Sequence, residues 1–96
     1  MKSLAEIKQS LGSQMTALSA KYPIKSLAIF GSYARNEQTK ESDLDLCVEF
    51  NDKIGSQFID LADEIEEFIG FKVDLVSKNG IKDRYFQSIK DELIYV

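Results

Sequence analysis

The stretch Ser42-Asp43-Leu44-Asp45-Leu46-Cys47-Val48-Glu49-Phe50 decides the fold. From Asp43 onward it alternates, with Leu44, Leu46, Val48 and Phe50 in one register and Asp43, Asp45, Cys47 and Glu49 in the other. Successive side chains of a strand leave opposite faces, so this is a strand with one face packed on helices and one face carrying carboxylates. Asp43 and Asp45, two residues apart, leave the same face, where their oxygens can converge on one ion.

Upstream, Pro23 bars a continuing helix, and Ile24-Lys25-Ser26-Leu27-Ala28-Ile29-Phe30 reads as a second strand, its later half apolar enough for a central place. Before it, Ser3 to about Ala20 reads as a helix with Leu4, Ile7, Leu11, Met15 and Leu18 at helical spacing. Ser3 and Glu6 stand in capping-box positions, while Gly12 weakens the middle by about 1 kcal/mol relative to alanine. Downstream, Ser56 to Ile69 carries the helical stripe Phe58, Leu61, Ala62, Ile65, Phe68 and Ile69, and Gly70 stops it. Phe71, Val73 and Leu75 then alternate with Lys72, Asp74 and Val76 as a third strand. After the Asn79-Gly80 turn, Ile81, Tyr85, Ile89 and Leu93 recur every four residues and predict a closing helix to about Ile94. The expected order is α-β-β-α-β-α, an α/β (α+β) two-layer fold. Its short mixed sheet has helices mainly on one face and the aspartates on the other.

The chain has 96 residues, 44% of them hydrophobic, which fits one domain spanning residues 1–96. So short a chain has a thin stability margin, and a partner or an oligomer, homo- or hetero-, is in keeping with it. A net charge of −4 and a pI near 4.8 argue against a groove that holds nucleic acid by neutralising phosphates, although a bound metal can invert charge locally. There is no histidine, so histidine acid–base catalysis and most zinc chemistry are excluded. The lone Cys47 supports neither an internal disulfide nor a thiolate metal cluster, and has no histidine to activate it as a nucleophile. No apolar run reaches the roughly 20 residues of a membrane span, and no h-region follows Met1-Lys2-Ser3-Leu4, so a cytoplasmic protein without a membrane partner is expected.

Asp74 lies on the non-core side of its strand, and neighbouring strands run about 4.8 Å apart, so it is the candidate third carboxylate beside Asp43 and Asp45. Three convergent aspartates repel one another. A hard divalent ion such as Mg²⁺, held by oxygens, is the natural compensation. Gly31-Ser32 ends the Ile24–Phe30 strand, and Tyr33-Ala34-Arg35 is expected to make a short helical turn. Backbone N–H groups there, the Ser32 hydroxyl and Arg35 can donate to phosphate oxygens. Singly, each feature has a plain reading: a solvated strand face for Asp43-Leu44-Asp45, a strand-ending turn for Gly31-Ser32, exposed polar residues for Asp74 and Arg35. Together they point to a metal-assisted phosphate site.

Gly31-Ser32, ten residues from Tyr33 to Ser42, Asp43-Leu44-Asp45, and later Val73-Asp74-Leu75-Val76 together resemble the nucleotidyltransferase superfamily typified by DNA polymerase beta. In a chain this short they are most similar to its minimal nucleotidyltransferase group, the MNT-type antitoxins. The resemblance implies Mg²⁺-dependent transfer of AMP from ATP to a tyrosine of a HEPN-type toxin, which is thereby silenced. It implies Asp43, Asp45 and Asp74 as the catalytic, metal-holding carboxylates, with Asp74 helping to hold the metal nearest the attacking hydroxyl, and Gly31, Ser32 and Arg35 as nucleotide-binding residues. The family commonly has glycine after the arginine, where this chain has Asn36, a residue that tolerates left-handed backbone. Two alternatives stand beside this expectation: a non-catalytic antitoxin that occludes its partner, and nucleotidyl transfer to a small molecule or an RNA end.

Overall fold

The computed structural model describes residues 2–96. Helix α1 spans Leu4–Lys21, with the capping box in place: the Ser3 hydroxyl accepts from the Glu6 N–H at 3.2 Å, and the Glu6 carboxylate accepts from the Ser3 N–H at 3.1 Å. Its stripe buries Ile7, Leu11 and Leu18, and the helix runs on through Gly12, where a Cβ would meet nothing within 4 Å among the described residues. Strand β1 (Ile24–Phe30) runs antiparallel to β2 (Leu44–Phe50). Helix α2 (Gln57–Ile69) crosses over to β3 (Val73–Ser77), which lies parallel to β2. Gly70 caps α2 in the left-handed region at φ 93°, and Lys2 donates to the Ile69 carbonyl at 2.9 Å.

One sheet face packs Leu27 and Ile29 of β1, Leu44, Leu46, Val48 and Phe50 of β2, and Val73 and Leu75 of β3 in a single core with the buried stripes of α1 and α2. The other face carries Phe30, Asp45, Cys47, Asp74 and Val76, as the alternation requires.

The end of the chain departs from the expected closing helix. Helix α3 covers only Asp83–Ile89, a 3₁₀ turn follows at Lys90–Glu92, and Ile94–Tyr95 forms a strand, β4. β4 pairs antiparallel with β1, Ile29 opposite Ile94 and Ala28 opposite Tyr95, and the Val96 N–H donates to the Leu27 carbonyl at 3.0 Å. The sheet order is β3-β2-β1-β4. Without β4, β1 would present an unpaired edge, and satisfying that ladder outweighs one further helical turn. The four-residue spacing nevertheless marks real packing. Ile81, Phe86, Ile89 and Leu93 cover Phe30, Cys47 and Val76, so α3 closes part of the carboxylate face and leaves the aspartate end open.

Candidate active site

β1 and β2 place Phe30 opposite Asp45, and β2 and β3 place Asp45 opposite Asp74. The two carboxylates thus stand on one face of adjacent strands at the same level. Asp43, just before β2, is less enclosed: its side chain is 42% exposed, with the Lys72 ammonium 3.8 Å away. Burial first, then the charges of Asp74 and Asp43, push the Asp45 carboxyl above its ordinary range, while Arg35 pulls it down. Among the described residues no three acidic side chains already converge as a metal cluster. Asp45 and Asp74 share one level of the sheet, while Asp43 stands apart beside Lys72. The donor set suits a hard cation: carboxylate oxygens on one face, no histidine, and a charge strain that a divalent ion would relieve. Glu49, on the same face, lies farther along β2 between Lys25 and Lys78, and Cys47 is buried beneath α3 with its thiol pushed up by burial.

The chain turns sharply after Phe30. Gly31 has φ 76°, and a Cβ added there would sit 2.9 Å from the Asp45 Cγ and nearer still to its carboxylate oxygen. The turn therefore lies directly against Asp45, and glycine is needed there for both conformation and space. The Arg35 N–H donates to the Gly31 carbonyl at 3.1 Å, Asn36 to Tyr33 at 3.2 Å, and Glu37 to Ser32 at 2.8 Å. Asn36 takes the left-handed conformation, φ 59°, in place of the glycine common in the resembling family. The N–H groups of Ser32, Tyr33 and Ala34 find no acceptor among the described residues, and the Ser32 hydroxyl has no partner there. Three successive free donors with a hydroxyl form a ready anion nest beside a carboxylate face.

Arg35 and the Gly31 N–H both have protein partners. The Gly31 N–H donates to Glu92 Oε1 at 3.0 Å. Arg35 Nε donates to Glu37 at 2.8 Å, and its Nη1 to both Glu92 oxygens, at 3.0 and 3.3 Å. Sequence reasoning missed Glu92 because it assigned that segment to a helix. Once β4 is seen, continuing its register from Ile29 opposite Ile94 by two residues sets Glu92 opposite Gly31. Tyr85 was also missed as a site neighbour. It stands on α3 edge-on to Phe30, with centroids 6.5 Å apart, and its hydroxyl is pushed up by burial and then by Asp45 and Asp74.

A cavity of about 670 Å³ adjoins Asp43, lined by Lys2, Tyr33, Lys40, Phe71 and Lys72, with Tyr33 and Phe71 stacked at 5.7 Å. A second, of about 540 Å³, lies at the far end of β2 around Phe50, Phe58 and Asn79, away from the carboxylates. No helix is long and apolar enough to cross a membrane among the described residues.

Residues 12–96 match the nucleotidyltransferase domain family. Protein adenylyltransferase MntA of Thermococcus cleftensis is 34% identical over all of this chain and 98% of its own length. The Methanocaldococcus jannaschii chain MJ1379, provisionally named a protein adenylyltransferase, is 46% identical over the full length of both chains. A structure provisionally described as a minimal nucleotidyltransferase superposes with a TM-score of 0.75 at 29% identity, covering 97% of this chain and 95% of that one. Two toxin–antitoxin structures share the fold. One, with AMP-PNP, has a TM-score of 0.73 at 21% identity and covers 86% of this chain and 69% of that one. The other, a tri-AMPylated Shewanella oneidensis HEPN toxin with an MNT antitoxin, has a TM-score of 0.70 at 19% identity and covers 93% and 70%. Family match, relatives and fold agree: the chain belongs to the nucleotidyltransferase domain family, as one of its minimal nucleotidyltransferases, and is an enzyme of that class.

Proposed function

We propose that this chain is a single-domain protein adenylyltransferase that moves AMP from ATP to a tyrosine of a HEPN-type toxin, silencing it as its antitoxin. The observation that carries the reading is the contact of Gly31 with Asp45, which joins an anion nest to a face bearing Asp45 and Asp74. The adenylyltransferase names of full-length relatives and the HEPN-toxin complex of a same-fold structure support the choice of donor and acceptor. Asp43, Asp45 and Asp74 are the residues that would hold Mg²⁺, which when bound neutralises charge on the polyphosphate.

The remaining chemistry belongs to the chain's own groups. The Ser32 hydroxyl and the N–H groups of Ser32, Tyr33 and Ala34 hold the terminal phosphates, so that pyrophosphate departs toward the turn. The acceptor oxygen enters from the opposite, Asp74 side and bonds to the α-phosphorus as the bond to the pyrophosphate oxygen breaks. Asp74 accepts the tyrosine proton, directly or through water. The open aspartate end beside α3 leaves room for a folded partner to bring its tyrosine.

The test is incubation with α-labelled ATP, Mg²⁺ and a HEPN-type toxin, taken first from any such gene found beside this one. A labelled tyrosine on that protein is expected, absent with Asp43→Ala, Asp74→Asn or EDTA. No label with the unmodified chain, or equal label after Asp43→Ala, refutes the assignment. Toxin inhibition unchanged by replacing Asp43 and Asp45 together assigns occlusion instead.

A further inference from the structure

We infer that Glu92 is a positioning residue for nucleotide binding, holding the phosphate turn and Arg35 in their working arrangement from the C-terminal end of the chain. The inference rests on the adenylyl-transfer reading above and goes beyond it, because it assigns a role to a residue outside the glycine-serine and aspartate motifs. One carboxylate ties three things together. Its Oε1 accepts from the Gly31 N–H at 3.0 Å, both oxygens accept from Arg35 Nη1 at 3.0 and 3.3 Å, and the residue sits in the 3₁₀ turn that leads into β4.

The donor arithmetic of Arg35 gives this bond its meaning. A guanidinium has five N–H donors. Glu37 takes Nε, and Glu92 takes Nη1 with its two oxygens, which leaves Nη2 as the edge without an acceptor among the described residues. Arg35 is tied by its N–H to the Gly31 carbonyl at 3.1 Å, and Gly31 lies against Asp45. Released from Glu92, its fork would be free to close on that carboxylate, the partner it matches in shape, and would compete there with a divalent cation. With Glu92 in place, Nη2 stays available to an anion and Asp45 stays available to a metal. The Gly31 N–H, satisfied by Glu92, holds the turn in the orientation that leaves the next three N–H groups free.

The test is a double-mutant cycle read by calorimetric binding of ATP in Mg²⁺ to the full chain, with Glu92→Ala, Arg35→Ala and the double variant, and thermal melts to verify folding. Glu92→Ala should weaken ATP binding about tenfold alone and much less in the Arg35→Ala background, as loss of one shared charge-assisted contact requires. Glu92→Gln keeps an acceptor for Gly31 but loses the charge, and should fall between. It also serves as the readout if the alanine variant does not fold. Unchanged or tighter ATP binding by Glu92→Ala, or penalties that simply add, overturns the inference. A wild-type chain that binds no ATP overturns the adenylyl-transfer reading itself, and this inference with it.

Discussion

Replacing Gly31 by alanine perturbs the turn in two ways, and two other glycines separate them. The left-handed conformation at φ 76° costs an alanine about 1 kcal/mol relative to glycine, and the new Cβ, 2.9 Å from the Asp45 Cγ, forces the carboxylate or the turn to move. An overpacked contact of that kind typically adds about 2 kcal/mol, so Gly31→Ala should lose about 3 kcal/mol, or roughly 15 °C in Tm for a domain of this size. Gly70 shares the left-handed backbone, φ 93°, but a Cβ there would meet nothing within 4 Å among the described residues. Gly70→Ala should therefore lose only about 1 kcal/mol and bind ATP as before. Gly12, helical and open, should gain up to about 1 kcal/mol as alanine. The assay is thermal and urea unfolding of the three variants, with AMP transfer to the toxin. Transfer should collapse only in Gly31→Ala, because Asp45 can no longer occupy its place. If Gly31→Ala melts with Gly70→Ala and transfers AMP normally, the contact between turn and carboxylate does not exist in solution.

Two predictions concern protons. Asp45 holds its proton to a higher pH in the folded chain than its ordinary 3.8, because of burial and of Asp74 and Asp43, so folding binds a proton and stability falls as pH rises through that window. In EDTA, Asp45→Asn should therefore melt higher than wild type at neutral pH, with the advantage vanishing under acid conditions, while AMP transfer is lost; a lower Tm at neutral pH would contradict this. Tyr22 is pushed up to about 12 by burial, then by its hydrogen bond to Glu64 at 2.9 Å. Its folded pKa lies above the unfolded value of 10.0, so its contribution is intact below about 10 and fades as pH climbs toward 12. Absorbance titration should show one tyrosine ionising late that Tyr22→Phe removes, and a late transition that survives this substitution would assign the shift elsewhere.

Local pattern carried most of the fold into view. The alternation of Asp43 to Phe50 marks both faces of β2, and the Ser3 and Glu6 pair marks the start of α1 as the hydrogen bonds bear out. The turn at Gly31-Ser32 was legible because glycine before a serine at a strand end has few other uses, and its closeness to Asp45 follows from the antiparallel pairing of β1 with β2. What stayed hidden depends on pairing between distant segments. The run Ile81 to Leu93 has helical spacing throughout, yet its last residues serve a strand edge that only the folded sheet creates. Misreading that end concealed Glu92, and with it the engagement of Arg35 by two carboxylates through Nε and Nη1.

The same pairing explains how so small a domain tolerates its carboxylates. Asp45 and Asp74 face each other across a strand pair, a like-charge arrangement that weakens a sheet. The core of the opposite face, where Leu44, Leu46, Leu61 and Ile65 are fully enclosed, compensates by burying apolar area against α1 and α2. The carboxylate face has less to draw on: a small cluster of Phe30, Cys47 and Ile89 beneath α3, and the C-terminal strand on the edge of β1. Anything that binds the folded aspartates and not the unfolded chain adds stability where the domain has least. Under the proposed function, a cation held at Asp45 would therefore couple binding to folding, and the C-terminal residues, through β4 on the edge of β1 and Glu92 on Gly31 and Arg35, would bear on both.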